Sequence, residues 1–311
     1  MDLGVQIEPQ FGFKLGEILA IANEAGTAGF TRLWVSDHLF LGRDAVNTDC
    51  LEAWTLLAAL AVRTEGIRIG PMVTAQSYRN PALLAKIAAG VDIMSGGRLD
   101  FGIGAGWKEV EYRAYGYEFP DAPARVTQMS EALEICTRMW KEERATYHGK
   151  HYRIDDALCS PKPAQRPLPI WIGGTKPRVM RIAAKYAHWF NMSNPSTPAR
   201  ERITAFRQLD EACRSIGRDP ATLGRSLFIQ VLAAPTRREI DELASELGHR
   251  SGLSGAEWLA ARPGFIAGTA DEVGQRLREI AAAGIGHANV MFPYGHEIPG
   301  IRALREVARA I

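Results

Sequence analysis

The stretch DLGVQIEPQFGFKLGEILAIANEAGTAGFTRLWVSDH, Asp2 to His38, decides the fold. It opens on an apolar run, Leu3 to Glu8, with the character of a buried strand. Leu15 to Ala28 follows as a helix, because Ile18, Leu19, Ala22 and Ala25 fall on one face at helical spacing. Thr31 to Ser36 is the second strand, so the stretch reads as two parallel strands joined by a crossover helix. The loop Pro9-Gln10-Phe11-Gly12-Phe13 contains no Gly-x-Gly-x-x-Gly to turn the chain around a dinucleotide pyrophosphate, which argues against a doubly wound open sheet.

Outward from this stretch the unit recurs, about eight times in all. Strands are predicted at Ile67 to Val73, Arg98 to Ile103, Pro169 to Gly173, Trp189 to Met192, Leu227 to Leu232 and Ala288 to Phe292. Helices are predicted between them, with Pro81 opening the one that runs to Met94 and Thr269 capping a later one whose first turn carries Asp271 and Glu272. The pattern predicts an α/β fold, a (β/α)8 TIM barrel with insertions, as a single domain over residues 1–311. One insertion is a hairpin at about 145–155, with Tyr147, Tyr152 and Ile154 around a turn at Gly149-Lys150; the other is a variable loop at about 248–263, rich in Gly, Ser and Ala.

Composition narrows the partners. Lys plus Arg (37) nearly balances Asp plus Glu (35) in the 311 residues, and the basic residues are scattered, so no electrostatic footprint for nucleic acid or anionic lipid is expected. No apolar run reaches the roughly 18 residues of a membrane helix, and the N-terminus reads as a strand rather than a signal peptide. Cys50, Cys136, Cys159 and Cys213 are far apart with no spaced histidines, so neither a metal site nor a disulfide is expected. The expectation is a cytoplasmic protein with a small-molecule substrate.

Chemistry in such a barrel belongs at the C-terminal ends of the strands. The second strand ends in Asp37-His38, a carboxylate beside an imidazole that can share a proton; the alternative is a capping Asp37 and a satisfied core histidine. The third ends in Met72-Val73-Thr74 and the fourth in Gly104-Ala105-Gly106, where missing Cβ atoms let backbone amides approach a ligand. The fifth ends in Gly173-Gly174-Thr175 before a helix, the arrangement that holds phosphate, and Ser193-Asn194 after the sixth supply small polar groups to the same pocket. Two glycine turns, one for a ring and one for a phosphate, suit a long phosphorylated cofactor.

Together Trp34 to His38, Glu52 to Leu56, Tyr78-Arg79-Asn80-Pro81, Gly104 to Trp107 with Glu111-Tyr112, Trp171 to Gly174 and Gly268-Thr269 resemble the luciferase-like monooxygenase superfamily, specifically its F420-dependent oxidoreductase branch. The resemblance implies a homodimeric barrel that binds coenzyme F420 or FMN, with a non-prolyl cis peptide at Met72-Val73 lying against the ring. It implies cofactor contacts at Asp37, Met72, Val73, Gly104, Ala105, Gly106, Gly173, Gly174, Thr175 and Ser193, and catalytic roles for His38 and Asp37. Hydride transfer with F420 is the leading expectation, and a two-component FMN monooxygenase fed by a partner flavin reductase is the alternative. The similar sugar-phosphate dehydrogenases carry a glutamate where this chain has Trp107 and a tryptophan where it has Gly42. Glu109 and Glu111 are read as helix-face charges rather than the catalytic acid.

Overall fold

The computed structural model describes residues 1–193 and 197–311. In chain order the first half comprises β1 (Asp2–Ile7), α1 (Leu15–Ala28), β2 (Arg32–Val35), α2 (Ala53–Arg63), β3 (Arg68–Pro71), β4 (Thr74–Ala75), α3 (Pro81–Met94), β5 (Phe101–Gly104), α4 (Glu109–Ala114) and α5 (Ala122–Lys141). Next come β6 (Arg144–His148), β7 (Arg153–Leu158), β8 (Ile170–Gly174), α6 (Pro177–Tyr186), β9 (Trp189–Met192), α7 (Ala199–Arg214) and β10 (Gly224–Ala233). The chain ends with α8 (Arg237–His249), α9 (Gly255–Ala260), β11 (Phe265–Gly268), α10 (Ala270–Ala282), β12 (His287–Met291), α11 (Glu297–Ala303) and α12 (Arg305–Ala310).

The sheet order is β3-β2-β1-β12-β10-β9-β8-β5-β4, with every pair parallel, so the fold is the expected β/α barrel. β3 and β4 are two halves of one strand on either side of Met72-Val73, whose peptide bond is cis. Closure comes where that strand meets β5 through Thr74–Ile103 and Ala75–Gly104, with an Ile69–Leu99 bridge just ahead of β5. The strands are apolar along nearly their whole length because helices cover one face and the barrel interior the other.

Large side chains close the N-terminal end of the barrel. Trp171 and Trp189 stack with centroids 4.8 Å apart. Trp34 Nε1 donates to His287 Nε2 at 3.1 Å, and burial together with Arg32 keeps the His287 imidazole neutral, able to accept that bond. Arg32 and Arg68 both pair with buried Asp100 below them. Ligands therefore enter from the C-terminal face.

The hairpin is present as β6 and β7, and a buried carboxylate docks it: Glu131 accepts from the amides of Lys150, His151 and Tyr152 at 2.9 to 3.0 Å. The segment 248–263 differs from its reading as a loop. It carries the end of α8 and all of α9, whose Ser254 caps the helix in a box with Glu257 and whose Trp258 packs into a small satellite core. The sequence pattern does not predict the strand after it, β11, which pairs with the C-terminal half of β10.

Candidate active site

A cavity of about 970 Å³ opens at the C-terminal ends of the strands. Asp37, His38, Met72, Val73, Gly104, Ala105, Gly106, Gly173, Gly174, Thr175 and Ser193 all line it, as do Gln6, Glu8 and Trp107. Asn194 lies outside the described residues.

The acid–base pair expected at the end of β2 is wired differently. The Asp37 carboxylate makes no hydrogen bond to the His38 ring. It is gripped in two-pronged fashion by Arg79, at 2.7 and 2.9 Å, and also accepts from the Thr74 hydroxyl at 2.7 Å and the Ala75 amide at 3.0 Å. Arg79 reaches Glu52 as well, the residue whose side chain caps α2, so this guanidinium anchors two carboxylates. With all these partners Asp37 braces the start of β4, directly after the cis bond.

The partner of His38 is Glu111, from α4. Glu111 is fully buried, so it is not the helix-face charge expected from its spacing. It takes His38 Nδ1 at 2.9 Å, the Tyr78 hydroxyl at 2.7 Å, the Leu39 and Phe40 amides at 3.0 and 3.3 Å, and Lys108 Nζ at 3.0 Å. Burial pushes its carboxyl upward, but the hydrogen bond and charge of His38 and the Tyr78 hydroxyl outweigh burial and hold its pKa at about 2. An ionised carboxylate only accepts, so Nδ1 of His38 must carry a proton. Nε2 makes no hydrogen bond with a described residue and is left for the cavity. Burial and the Glu111 charge both push the Tyr78 phenol upward, so it stays a neutral donor. Cys50 donates to the His38 carbonyl at 3.2 Å, and burial raises its thiol to about 12, which excludes a thiolate nucleophile there.

The glycine turns have a reason the sequence did not show. A Cβ on Gly102 would stand 1.9 Å from the Pro71 carbonyl oxygen, and one on Gly104 would stand 2.5 Å from Val73 Cγ2. These glycines admit the β3–β4 backbone and the Val73 side chain, which thereby forms a ridge along the cavity wall.

The cavity fits a phosphorylated tricyclic cofactor on two observations. The ridge and glycine turns leave an open, mostly apolar wall, and α6 begins without a side-chain cap: Pro177 has no N–H and the Val179 and Met180 amides donate to the Lys176 carbonyl, so the Arg178 amide stands with exposed Thr175 and Lys176 as the groups for an anion. Among the described residues no cluster of His, Cys, Asp and Glu has the makings of a metal site.

The sequence profile of a family described as luciferase-like monooxygenase matches residues 2–283. An F420-dependent glucose-6-phosphate dehydrogenase from Microbacterium testaceum (strain StLB037) is 31% identical over 67% of this chain, which spans only 64% of that relative's length. A 5,10-methylenetetrahydromethanopterin reductase from Archaeoglobus fulgidus (strain ATCC 49558 / DSM 4304 / JCM 9628 / NBRC 100126 / VC-16) is 27% identical over 95% of this chain and 94% of its own. The structure of an F420-dependent secondary alcohol dehydrogenase in complex with an F420-acetone adduct superposes with a TM-score of 0.81 over 99% of both chains, at 21% identity, which establishes the shared fold.

Proposed function

This chain belongs to the luciferase-like monooxygenase family, and from that premise we propose that it is an F420-dependent oxidoreductase moving a hydride between the deazaflavin ring and a small organic substrate. The observation that carries the reading is His38, held through Nδ1 by the ionised Glu111 with Nε2 left toward the cavity. The glucose-6-phosphate dehydrogenase reported above is F420-dependent by name, which favours F420 over FMN.

Met72, Val73, Gly104, Ala105 and Gly106 would hold the ring, and Gly173, Gly174, Thr175 and Ser193 the phosphate-bearing chain. When bound, F420 supplies a two-electron hydride donor or acceptor. His38 supplies or removes the matching proton at the substrate oxygen or carbon through Nε2. Asp37 acts on the site through Arg79 and Thr74, keeping the β4 backbone against the cavity, so its role is positioning rather than proton transfer.

We read residues 1–311 as one barrel domain, cytoplasmic, served by a separate reductase that regenerates reduced F420; the four unpaired cysteines agree with a reducing compartment. No helix among the described residues is long and apolar enough to cross a membrane. A homodimer through α2 and α3 is part of the proposal. The outward positions of these packed helices include Val62, Leu83, Ile93 and Met94, with 62% of Val62 and 55% of Leu83 left in water.

The direct test is anaerobic turnover of reduced F420 with a panel of ketones and enones, followed by the return of the oxidised ring's absorbance. His38→Ala should lower kcat by about 10²- to 10⁴-fold while F420 affinity stays unchanged. Full turnover by that variant would remove His38 from the mechanism.

A further inference from the structure

The aromatic rim beside His38 points to what the site selects. Trp107 stands edge-on to the His38 ring, with centroids 5.6 Å apart and planes at 85°, yet 72% of it is exposed. An indole so open presents a large apolar surface to water beside the proposed proton donor. Phe11 lines the same cavity and meets Tyr294 at 6.2 Å, and Tyr294 is itself 41% exposed.

The charges are arranged the opposite way. Lys108 lines the cavity, but its ammonium is held by the Phe40 and Leu41 carbonyls at 2.6 and 3.0 Å and by Glu111. Arg125 is committed to the carbonyls of Gly106 and Pro120 and covers the Phe119 ring at 3.9 Å. The remaining lining cation among the described residues is Lys176, next to Thr175 at the start of α6. Glu8 adds a carboxylate to the lining, held by Gln6 Nε2 at 2.9 Å. An anion is therefore accommodated at the α6 end, while the surroundings of His38 offer aromatic faces and no uncommitted cation.

We propose that the His38 end of the cavity selects a neutral, flat, mainly apolar carbonyl compound lying against Trp107, and rejects phosphorylated sugars. The proposal rests on the F420 reading for why a carbonyl belongs beside His38, whereas the recognition itself needs only the chain's own residues.

The test uses the full chain in calorimetric titrations, with and without F420, of benzalacetone as a neutral aromatic enone and of glucose-6-phosphate. Tryptophan fluorescence is followed in parallel. Benzalacetone should bind at least about tenfold more tightly than the sugar phosphate and quench a component absent from Trp107→Phe. Trp107→Ala, at an exposed position, should weaken benzalacetone about tenfold, and Trp107→Phe should restore most of the affinity. Equal or tighter binding of glucose-6-phosphate, no binding of benzalacetone under either condition, or binding indifferent to Trp107→Ala would overturn the proposal. If benzalacetone behaves as expected while F420 does not bind, the cofactor reading falls and the recognition stands.

Discussion

Glu111 decides which nitrogen of His38 carries a proton, and it does so from a position with no contact with solvent. Glu111→Gln keeps the shape but replaces an obligate acceptor by an amide, so the imidazole loses its fixed tautomer. We expect kcat to fall about ten- to a hundredfold with cofactor affinity unchanged. The same residue sets a pH dependence. Its carboxyl is held at about 2 against an ordinary value of 4.5, so the stability it contributes is complete above 4.5 and is lost as the pH falls toward 2. Urea denaturation at a series of acid pH values should show wild type and Glu111→Gln converging below about pH 4; a gap that stays constant to the lowest pH would exclude the assigned ionisation. Sequence exposed His38 readily, because it ends a strand. Glu111 was harder to see, since its acceptor role depends on a tertiary approach of α4 to the loop after β2, and the i to i+4 spacing of charges around it reads as a solvated face.

At the scale of elements, the glycines of β5 and the ridge of Val73 form one packing unit. The turn Gly102-Ile103-Gly104 was legible as glycine-rich, but the cause was not, because the atoms that need the space belong to the neighbouring strand. Gly104→Ala places a methyl 2.5 Å from Val73 Cγ2 and should destabilise the protein by about 1–3 kcal/mol. Val73→Ala in the same chain should relieve most of that, so a double-mutant cycle measured by chemical denaturation should give strong favourable coupling. Strict additivity would mean the two do not meet. The helical periods of α1 and α3 were read to their observed ends because caps, apolar spacing and tertiary burial agree there; Asn80 caps α3 through the amides of Ala82 and Leu83 with Pro81 behind it. α8 and β11 escaped notice for opposite reasons. The first is so charged that its apolar stripe is thin, although Thr236 and Glu239 do form a capping box. The second is too short for an alternation to register.

The whole molecule places its chemistry at one end and seals the other. Tryptophans, His287 and the Arg32–Asp100–Arg68 bridge fill the N-terminal mouth, which leaves the C-terminal cavity as the route to His38. On the flank, the exposed apolar side chains of α2 and α3, Leu83 and Ile93 among them, belong to the surface proposed for a second copy. Replacing Leu83 and Ile93 together by lysine should convert a dimer to a monomer in analytical ultracentrifugation with the far-ultraviolet circular dichroism unchanged; a wild-type monomer at micromolar concentration would contradict that assembly. Barrel, strand-end cavity and cis Met72-Val73 bond were all available from sequence, the last through family resemblance, whereas the pairing of Asp37 with Arg79 instead of His38 required the structure. Anaerobic equilibrium titration of the purified protein with F420 and, separately, FMN tests the cofactor most directly. Saturable F420 binding is expected, with FMN at least about a hundredfold weaker, a gap of ~2.7 kcal/mol; tight FMN binding without affinity for F420 would exclude the deazaflavin as the cofactor.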